Sequence, residues 1–357
     1  MIEEEKTLKF LITGGAGFIG SAFTRFLIQE TKHEALVVDK LSYASNLESL
    51  QEVSKNDRFR FLKIDICDHH SMEKAFTEFK PNRVIHLAAE SHVDRSLENP
   101  AEFIRSNIQG TFNLMENARD FWSQQNQRDF LFLHVSTDEV FGSLGVTGSF
   151  TEKSRYDPRS PYSASKASSD HLARSWHATF GLPVIVTNCS NNFGPFQFPE
   201  KLIPLTIVNA LSRKNLPIYG TGKNIRDWIY VGDHARALYQ VAMQGVPGES
   251  YNIGGRNEKS NVDVVNAICQ ILNTRQELDE QFDHRELISF VQDRPGHDFR
   301  YSIDNTKIER DLRWFPEETF ESGLKKTVDW YLKNLRWCES VSENYNQERL
   351  GLTTNKP

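Results

Sequence analysis

The sequence predicts an α/β protein with a doubly wound, mostly parallel sheet and a smaller C-terminal α/β unit. Three observations predict it. Short apolar runs of strand length alternate with helical patterns from residue 9 to about 190, as in βαβ units. A glycine-rich turn joins the first apolar run to the first helix. Polar residues follow directly on several of the runs, at the edge of a parallel sheet where ligands bind.

The first strand is Lys9-Phe10-Leu11-Ile12-Thr13. Gly14, Gly17 and Gly20 follow in G-x-x-G-x-x-G spacing and open a helix that runs to about Gln29. Small residues there let backbone N–H groups approach a pyrophosphate at the positive helix end, the Rossmann fingerprint for a dinucleotide. A second strand, Ala35-Leu36-Val37-Val38, ends in Asp39, a carboxylate placed to accept from a ribose 2′-OH. Lys40 beside it reads as solvated. The strand 60–64 ends at Asp65-Ile66, and 71–79 reads as a helix. The strand 83–87 opens onto Ala88-Ala89-Glu90-Ser91, small enough to let a flat ring lie against the backbone. His86, inside that run, reads as a core histidine. Residues 99–122 predict one long helix.

The next strand, from Phe130, ends in His134-Val135-Ser136-Thr137-Asp138-Glu139, placing a hydroxyl and two carboxyls at the sheet edge. Ser160-Pro161 reads as an N-cap and first helical residue. Tyr162 and Lys166 then lie one turn apart on one helix face. Together these residues make an acid–base set; separately each is a polar strand end or an ordinary helix. After the strand 184–187 the texture changes. Residues 191–196 read as a loop, 202–212 as a helix, 216–220 as extended, and 320–337 as a closing amphipathic helix. Lys201, Arg226, Arg294 and His297 are spread through segments interrupted by Gly and Pro, which predicts a unit that binds an anion.

Composition bounds the rest. The chain of 357 residues suffices for one large or two ordinary domains; it is 38% hydrophobic and 25% charged, with a net charge of -6. That balance gives no general attraction to nucleic acid or an anionic membrane. No apolar run is long enough to span a bilayer, and the acidic start of the chain lacks a signal-peptide core. Cys67, Cys189, Cys269 and Cys338 are scattered without a CxxC pair, which predicts buried free thiols in a reducing cytoplasm and no metal site.

The combination resembles the extended short-chain dehydrogenase/reductases, and within them the dTDP-glucose 4,6-dehydratase group. The motifs that carry it are Ser136-Thr137-Asp138-Glu139-Val140, Pro161-Tyr162-Ser163-Ala164-Ser165-Lys166-Ala167-Ser168-Ser169-Asp170, Asn188-Cys189-Ser190-Asn191-Asn192-Phe193-Gly194-Pro195, Ile225-Arg226-Asp227-Trp228 and Asp293-Arg294-Pro295-Gly296-His297. The likeness runs from about Lys9 to Leu335. Phe141 and Phe193 stand where the group often has Tyr. The resemblance implies a NAD-binding Rossmann unit at 1–190, to which the chain returns around 226–254. It implies an interleaved nucleotide-sugar unit at 191–345 and a tail at 346–357. NAD is expected on Gly14, Gly17, Phe18, Ile19, Gly20, Asp39, Asp65, Ile66, Ala88, Tyr162, Lys166 and Asn192. A dTDP-glucose substrate is expected on Ser91, Thr137, Asn191, Lys201, Pro217, Tyr219, Arg226, Asn261, Arg294 and His297.

The implied reaction gives dTDP-4-keto-6-deoxy-D-glucose and water, for deoxysugar synthesis. In it Tyr162 is the base for the C4 hydroxyl, with Lys166 supplying favourable charge, and Thr137 binds the C4 oxygen. Glu139 removes the C5 proton and Asp138 protonates the leaving C6 hydroxyl. A homodimer is implied, with its interface on the helices at 101–122 and 161–180. The competing readings are a related epimerase or decarboxylase, against which Asp138-Glu139 argues, and a non-catalytic NAD-binding regulator.

Overall fold

The computed structural model describes residues 6–125, 129–275, 281–293 and 296–342. The chain enters as β1 (Lys9–Thr13), α1 (Phe18–Glu30), β2 (Glu34–Asp39), β3 (Phe59–Lys63), α2 (His69–Phe79) and β4 (Arg83–His86). Short helices α3 (Val93–Glu98) and α4 (Pro100–Phe103) lead through a π-helical turn, Ile104–Gln109, into α5 (Gly110–Gln125). Then come β5 (Leu131–Thr137), α6 (Pro161–Phe180) and β6 (Val184–Cys189). These six strands and a later one, Ser250–Ile253, form a seven-stranded sheet in the order Ser250–Ile253, β6, β5, β4, β1, β2, β3. Every pairing is parallel.

The central strands are mostly apolar on both faces because both faces are covered, whereas the edge strand β3 is partly exposed. Phe10 and Ile12 of β1 bury on one side with Phe23 and Leu27 of α1. Leu11, between them, buries on the other with Phe76 of α2 and Leu114 and Met115 of α5. Each such side chain contributes about 1.5–3 kcal/mol. Strand order reverses between β1 and β4, so a crevice opens outside their C-terminal ends.

The second layer holds β7 (Asn191–Phe193), α7 (Leu202–Leu211), β8 (Leu216–Tyr219) and β9 (Ile225–Tyr230). The chain then returns through α8 (Val231–Gln244), which packs on α1, and β10 (Ser250–Ile253), the seventh strand of the large sheet. It leaves again as β11 (Glu258–Ser260), α9 (Asn261–Asn273), β12 (Ile288–Val291), α10 (Thr306–Leu312), α11 (Phe320–Lys333) and α12 (Leu335–Ser342). Strands β11, β9 and β7 make one small sheet, and β12 and β8 another. Their core includes Phe193, Ile207, Trp228, Ile268, Leu324 and Tyr331.

Several elements differ from expectation. The expected single helix at 99–122 is interrupted by the π turn. Asn107 in that turn accepts from Glu90 N–H at 2.8 Å and donates to the Glu90 carbonyl at 3.0 Å and to Ser165 Oγ at 2.8 Å. The wider turn presents Asn107 to these partners, a usual role for such an insertion. Residues 191–193 are a strand rather than loop, because their backbone pairs with β9; two asparagines carry no strand signal. The closing helix breaks at Asn334 into α11 and α12. Cys189, Cys269 and Cys338 are buried, whereas Cys67 is half-exposed; all four thiols are free. The expected tail at 346–357 lies outside the described residues.

Candidate active site

Two cavities open side by side at the C-terminal edge of the large sheet and share Glu139, Asn191, Asn192, Gln197, Glu200 and Lys201 as walls. The first is lined by every residue expected at the cofactor: Gly14, Gly17, Phe18, Ile19, Gly20, Asp39, Asp65, Ile66, Ala88, Tyr162, Lys166 and Asn192. Gly14 has φ +70°, and a Cβ there would stand 2.6 Å from the Ala88 backbone nitrogen. A Cβ on Gly20 would collide with the Gly14 carbonyl oxygen. Gly17 caps α1 with no side-chain acceptor, which leaves the positive helix end open for an anion. Asp39 is buried and accepts from Ala16 N–H at 3.0 Å and Leu41 N–H at 2.8 Å. Burial pushes its carboxyl up, against those two bonds.

Lys40 is not solvated, contrary to expectation. Its ammonium pairs with Glu90 and Glu102, each at 2.9 Å, and donates to Ser106 Oγ at 3.0 Å. These surfaces fit a dinucleotide. An uncapped helix end suits a pyrophosphate, a carboxylate ending β2 suits ribose hydroxyls, and Ala88-Ala89 leave room for a flat ring.

The acid–base set stands where this cavity meets the second. Thr137 ends β5 and caps a 3₁₀ turn, Asp138–Phe141, accepting from Glu139 N–H at 3.3 Å. Asp138 is 1% exposed, accepts from Thr137 Oγ1 at 3.3 Å, and keeps Oδ2 without a hydrogen-bond partner. Burial pushes its carboxyl well above the usual range; Glu139 and Asp227 add to this, and Arg226 opposes it. That direction favours the protonated form of Asp138 over the carboxylate. Glu139, next in sequence, is half-buried and walls both cavities. A reciprocal cap between Ser160 and Ser163 and Pro161 at the first position start α6, which carries Tyr162 and Lys166 to the cavity. Burial raises the Tyr162 phenol well above its ordinary value, with the Glu139 charge adding, while the Thr137 hydroxyl opposes.

Lys166, expected to supply favourable charge to that phenol, lines the same cavity and donates its ammonium to the Val135 carbonyl at 2.9 Å. His86 is buried between Thr13 Oγ1 at 2.8 Å and Thr111 Oγ1 at 2.9 Å.

The second cavity is walled by Asn191, Lys201, Pro217, Tyr219, Arg226, Asn261 and His297; Ser91 and Thr137 line the first. Lys201 Nζ donates to the Ser91 carbonyl at 3.1 Å, tying the two layers together. Arg226 lines the cavity although it is only 5% exposed. It stacks 4.4 Å over Tyr301 and donates to the Ile225 carbonyl at 2.8 Å and the Asp298 carbonyl at 3.1 Å. Tyr219 OH donates to Asp94 Oδ2 at 3.3 Å, and His297 Nδ1 lies 2.6 Å from Asp293 Oδ1. Arg294 lies outside the described residues. Sequence reasoning missed Glu200, which accepts from Tyr43 OH and Arg95 Nε, each at 3.0 Å. It also missed Tyr301 on the second wall, and it named Trp228 within the Ile225–Trp228 motif but not as a site residue. No local motif marks Glu200 or Tyr301.

A family model for GDP-mannose 4,6 dehydratase matches residues 11–327. A dTDP-glucose 4,6-dehydratase of Neisseria meningitidis serogroup B is 58% identical over 353 residues, covering 96% of this chain and 99% of that one. One from Escherichia coli K12 is 55% identical, with 95% and 97% covered. Among solved structures, the dTDP-glucose 4,6-dehydratase DesIV of Streptomyces venezuelae, with NAD bound, superposes with a TM-score of 0.87 at 42% identity, covering 94% of this chain and all of that one. A UDP-glucose 4-epimerase of Thermus thermophilus in complex with NAD gives 0.81 at 26%, with 92% and 100% covered. The protein folded around this cleft thus belongs to the GDP-mannose 4,6 dehydratase family, with dTDP-glucose 4,6-dehydratases among its full-length relatives.

Proposed function

We infer that this protein is a NAD-dependent dTDP-glucose 4,6-dehydratase. The observation that carries the reading is the split between two adjacent carboxyls. Asp138 is 1% exposed, and burial favours its protonated form, while Glu139 is half-buried and faces both cavities. An elimination needs such a pair: one group to take a proton and one to give one. A 4-epimerase needs no C5/C6 pair, so the epimerases that share the fold fit the site less well.

Water does not leave C6 of an ordinary hexose, because the C5 proton is not acidic. A ketone at C4 makes it so. Gly14, Gly17, Gly20 and Asp39 would hold NAD, which would supply the acceptor for the C4 hydride and its donor to C6. Tyr162 takes the proton of the C4 hydroxyl. Bringing a phenol from about 10 to near 7 takes about 4 kcal/mol, and in the protein alone burial works against it. Thr137 donates to the C4 oxygen, and Lys166 supplies positive charge beneath. Glu139 takes the C5 proton as Asp138 gives its proton to the leaving C6 hydroxyl, which departs as water. Arg226 and Arg294 suit a diphosphate, since guanidinium offers paired donors to phosphate oxygens.

The thymine base rests on the names of the full-length relatives, whereas the name of the family model favours a guanine nucleotide. Incubation with dTDP-glucose, UDP-glucose, GDP-glucose and GDP-mannose at equal concentration decides. The dTDP sugar is expected to lose one water by mass, fastest of the four. Best turnover of a GDP sugar overturns the base, and no water loss from any overturns the dehydratase.

Ile104, Phe112 and Phe180 are exposed apolar side chains on the segments 101–122 and 161–180, which supports a homodimer closed there. Free thiols support a cytoplasmic setting.

A further inference from the structure

Behind the acid–base set lies a second buried carboxyl, Asp170, one turn beyond Lys166 on α6. Its carboxylate collects four donors from three segments. His134 Nε2 donates at 3.0 Å and Ser136 Oγ at 2.9 Å, both from β5. Tyr156 OH donates at 2.8 Å from the loop before α6, and Asn188 Nδ2 at 3.4 Å from β6. Arg174 Nη2 backs the Tyr156 hydroxyl at 2.9 Å.

The spacing on β5 is informative. Residues two apart on a strand face the same way, so Asp170 grips His134 and Ser136 on either side of Val135. The Val135 carbonyl is the one that Lys166 holds. Fixing that strand end also fixes the start of the Thr137-Asp138-Glu139 turn.

We propose that Asp170 is a positioning residue for the reaction assigned above: its carboxylate is the counter-charge that keeps the buried Lys166 an ammonium, and its hydrogen bonds hold the carbonyl on which that ammonium rests.

The charges around Lys166 bear this out. Facing it are Asp170 on its own helix, His134 on β5, Cys189 on β6 and His86 on β4. Burial holds both imidazoles below their ordinary value, and it pushes the Cys189 thiol up to about 12. His134 Nδ1 has no partner, as suits a neutral ring protonated at Nε2. Burial raises Asp170, but the His134 hydrogen bond, the Lys166 charge and the Ser136 hydroxyl outweigh it and hold the carboxyl below its usual value. Of the four groups, Asp170 is therefore the one charged at neutral pH. Burial lowers Lys166, and Asp170 is the first group that opposes it.

The test uses the holoenzyme with ¹³C-labelled lysine and follows the titration of Lys166 by NMR, in wild type and in Asp170→Asn. The midpoint is expected to fall by about one pH unit or more, the usual effect of removing a close opposite charge. In single turnover, the C4 oxidation step should slow on the alkaline side, with KM within about twofold of wild type. A Lys166 midpoint equal to wild type overturns the proposal even if activity falls, because lost packing would not move that midpoint selectively. If Asp170→Asn does not fold, Tyr156→Phe decides. It removes one donor from the carboxylate, so the acid limb of the oxidation step should rise toward neutrality; an unmoved limb overturns the proposal. The titration needs no substrate. A wild-type enzyme that fails to dehydrate dTDP-glucose would thus count against the reaction alone.

Discussion

The two halves of the cleft are built by different means. The first cavity is walled by the ends of parallel strands: Gly14 after β1, Asp39 on β2, Ala88 after β4 and Thr137 on β5. The sheet register sets their spacing. The second cavity takes Lys201, Pro217, Arg226, Asn261 and His297 from separate segments of the second layer. There side-chain bonds such as Lys201 to the Ser91 carbonyl do the placing. At Gly14 and Gly20 the first half thus has no room for an added atom, while the second should accept altered side chains at a cost in affinity. The seam between them carries the proton-transfer groups, and the largest effects are expected there.

At that seam, Glu139→Gln should lower product formation by about 10²–10⁴-fold. C4 oxidation should survive, visible as reduced-nicotinamide absorbance on adding substrate, while exchange of C5 hydrogen with D₂O is lost. Normal product formation would identify another base. The elimination step has its own pH signature. Asp138 must hold its proton to act, and its carboxyl is raised. Elimination should therefore fade as pH rises through that raised value, and on the acid side it should persist only while Glu139 stays ionised.

The contrast between the halves is sharpened by one substitution in each. Gly20→Ala drives a methyl into the Gly14 carbonyl and to 2.7 Å from the Gly15 Cα. Strain of about 1–3 kcal/mol should weaken NAD retention roughly tenfold to a hundredfold, measured by equilibrium binding to stripped enzyme. Arg226→Lys keeps the charge but loses the planar fork that spans the Ile225 and Asp298 carbonyls. KM should rise by about tenfold with a smaller change in kcat. A greater loss of kcat than of KM would place Arg226 in the chemistry. The smallest effect is expected at Glu102, a partly exposed partner of Lys40. Glu102→Gln frees positive charge near Asp39 and should shift the NAD-to-NADP preference toward NADP by only about threefold. Tighter binding of NADP than NAD to the wild type would contradict the role given to Asp39.

Legibility followed the same division. The alternation of strands and helices, the glycine turn, Asp39 and the Thr137-Asp138-Glu139 stretch are local patterns, and local patterns can be read from a chain. The π turn before α5 could not be read, because its cause is Asn107 bonding to Glu90 and Ser165 across the fold. Lys40 looked solvated because Glu90 and Glu102 lie 50 and more residues away in sequence. The split between Asp138 and Glu139 depends on burial, which two adjacent carboxyls do not reveal. The clamp on Glu200 joins three segments that share no motif.

The central claim is that one cleft oxidises C4, eliminates water across C5 and C6, and restores hydrogen at C6 without releasing the sugar between steps. A crossover experiment tests it most directly. Substrate deuterated at C4 is mixed with ¹³C-labelled substrate carrying ordinary hydrogen, in ordinary water, and the products are resolved by mass. Deuterium is expected at C6 only in molecules without ¹³C, with C5 filled from solvent through Glu139. Deuterium at C6 of the ¹³C-labelled product would contradict the account, because cofactor or intermediate would then have left the cleft during turnover.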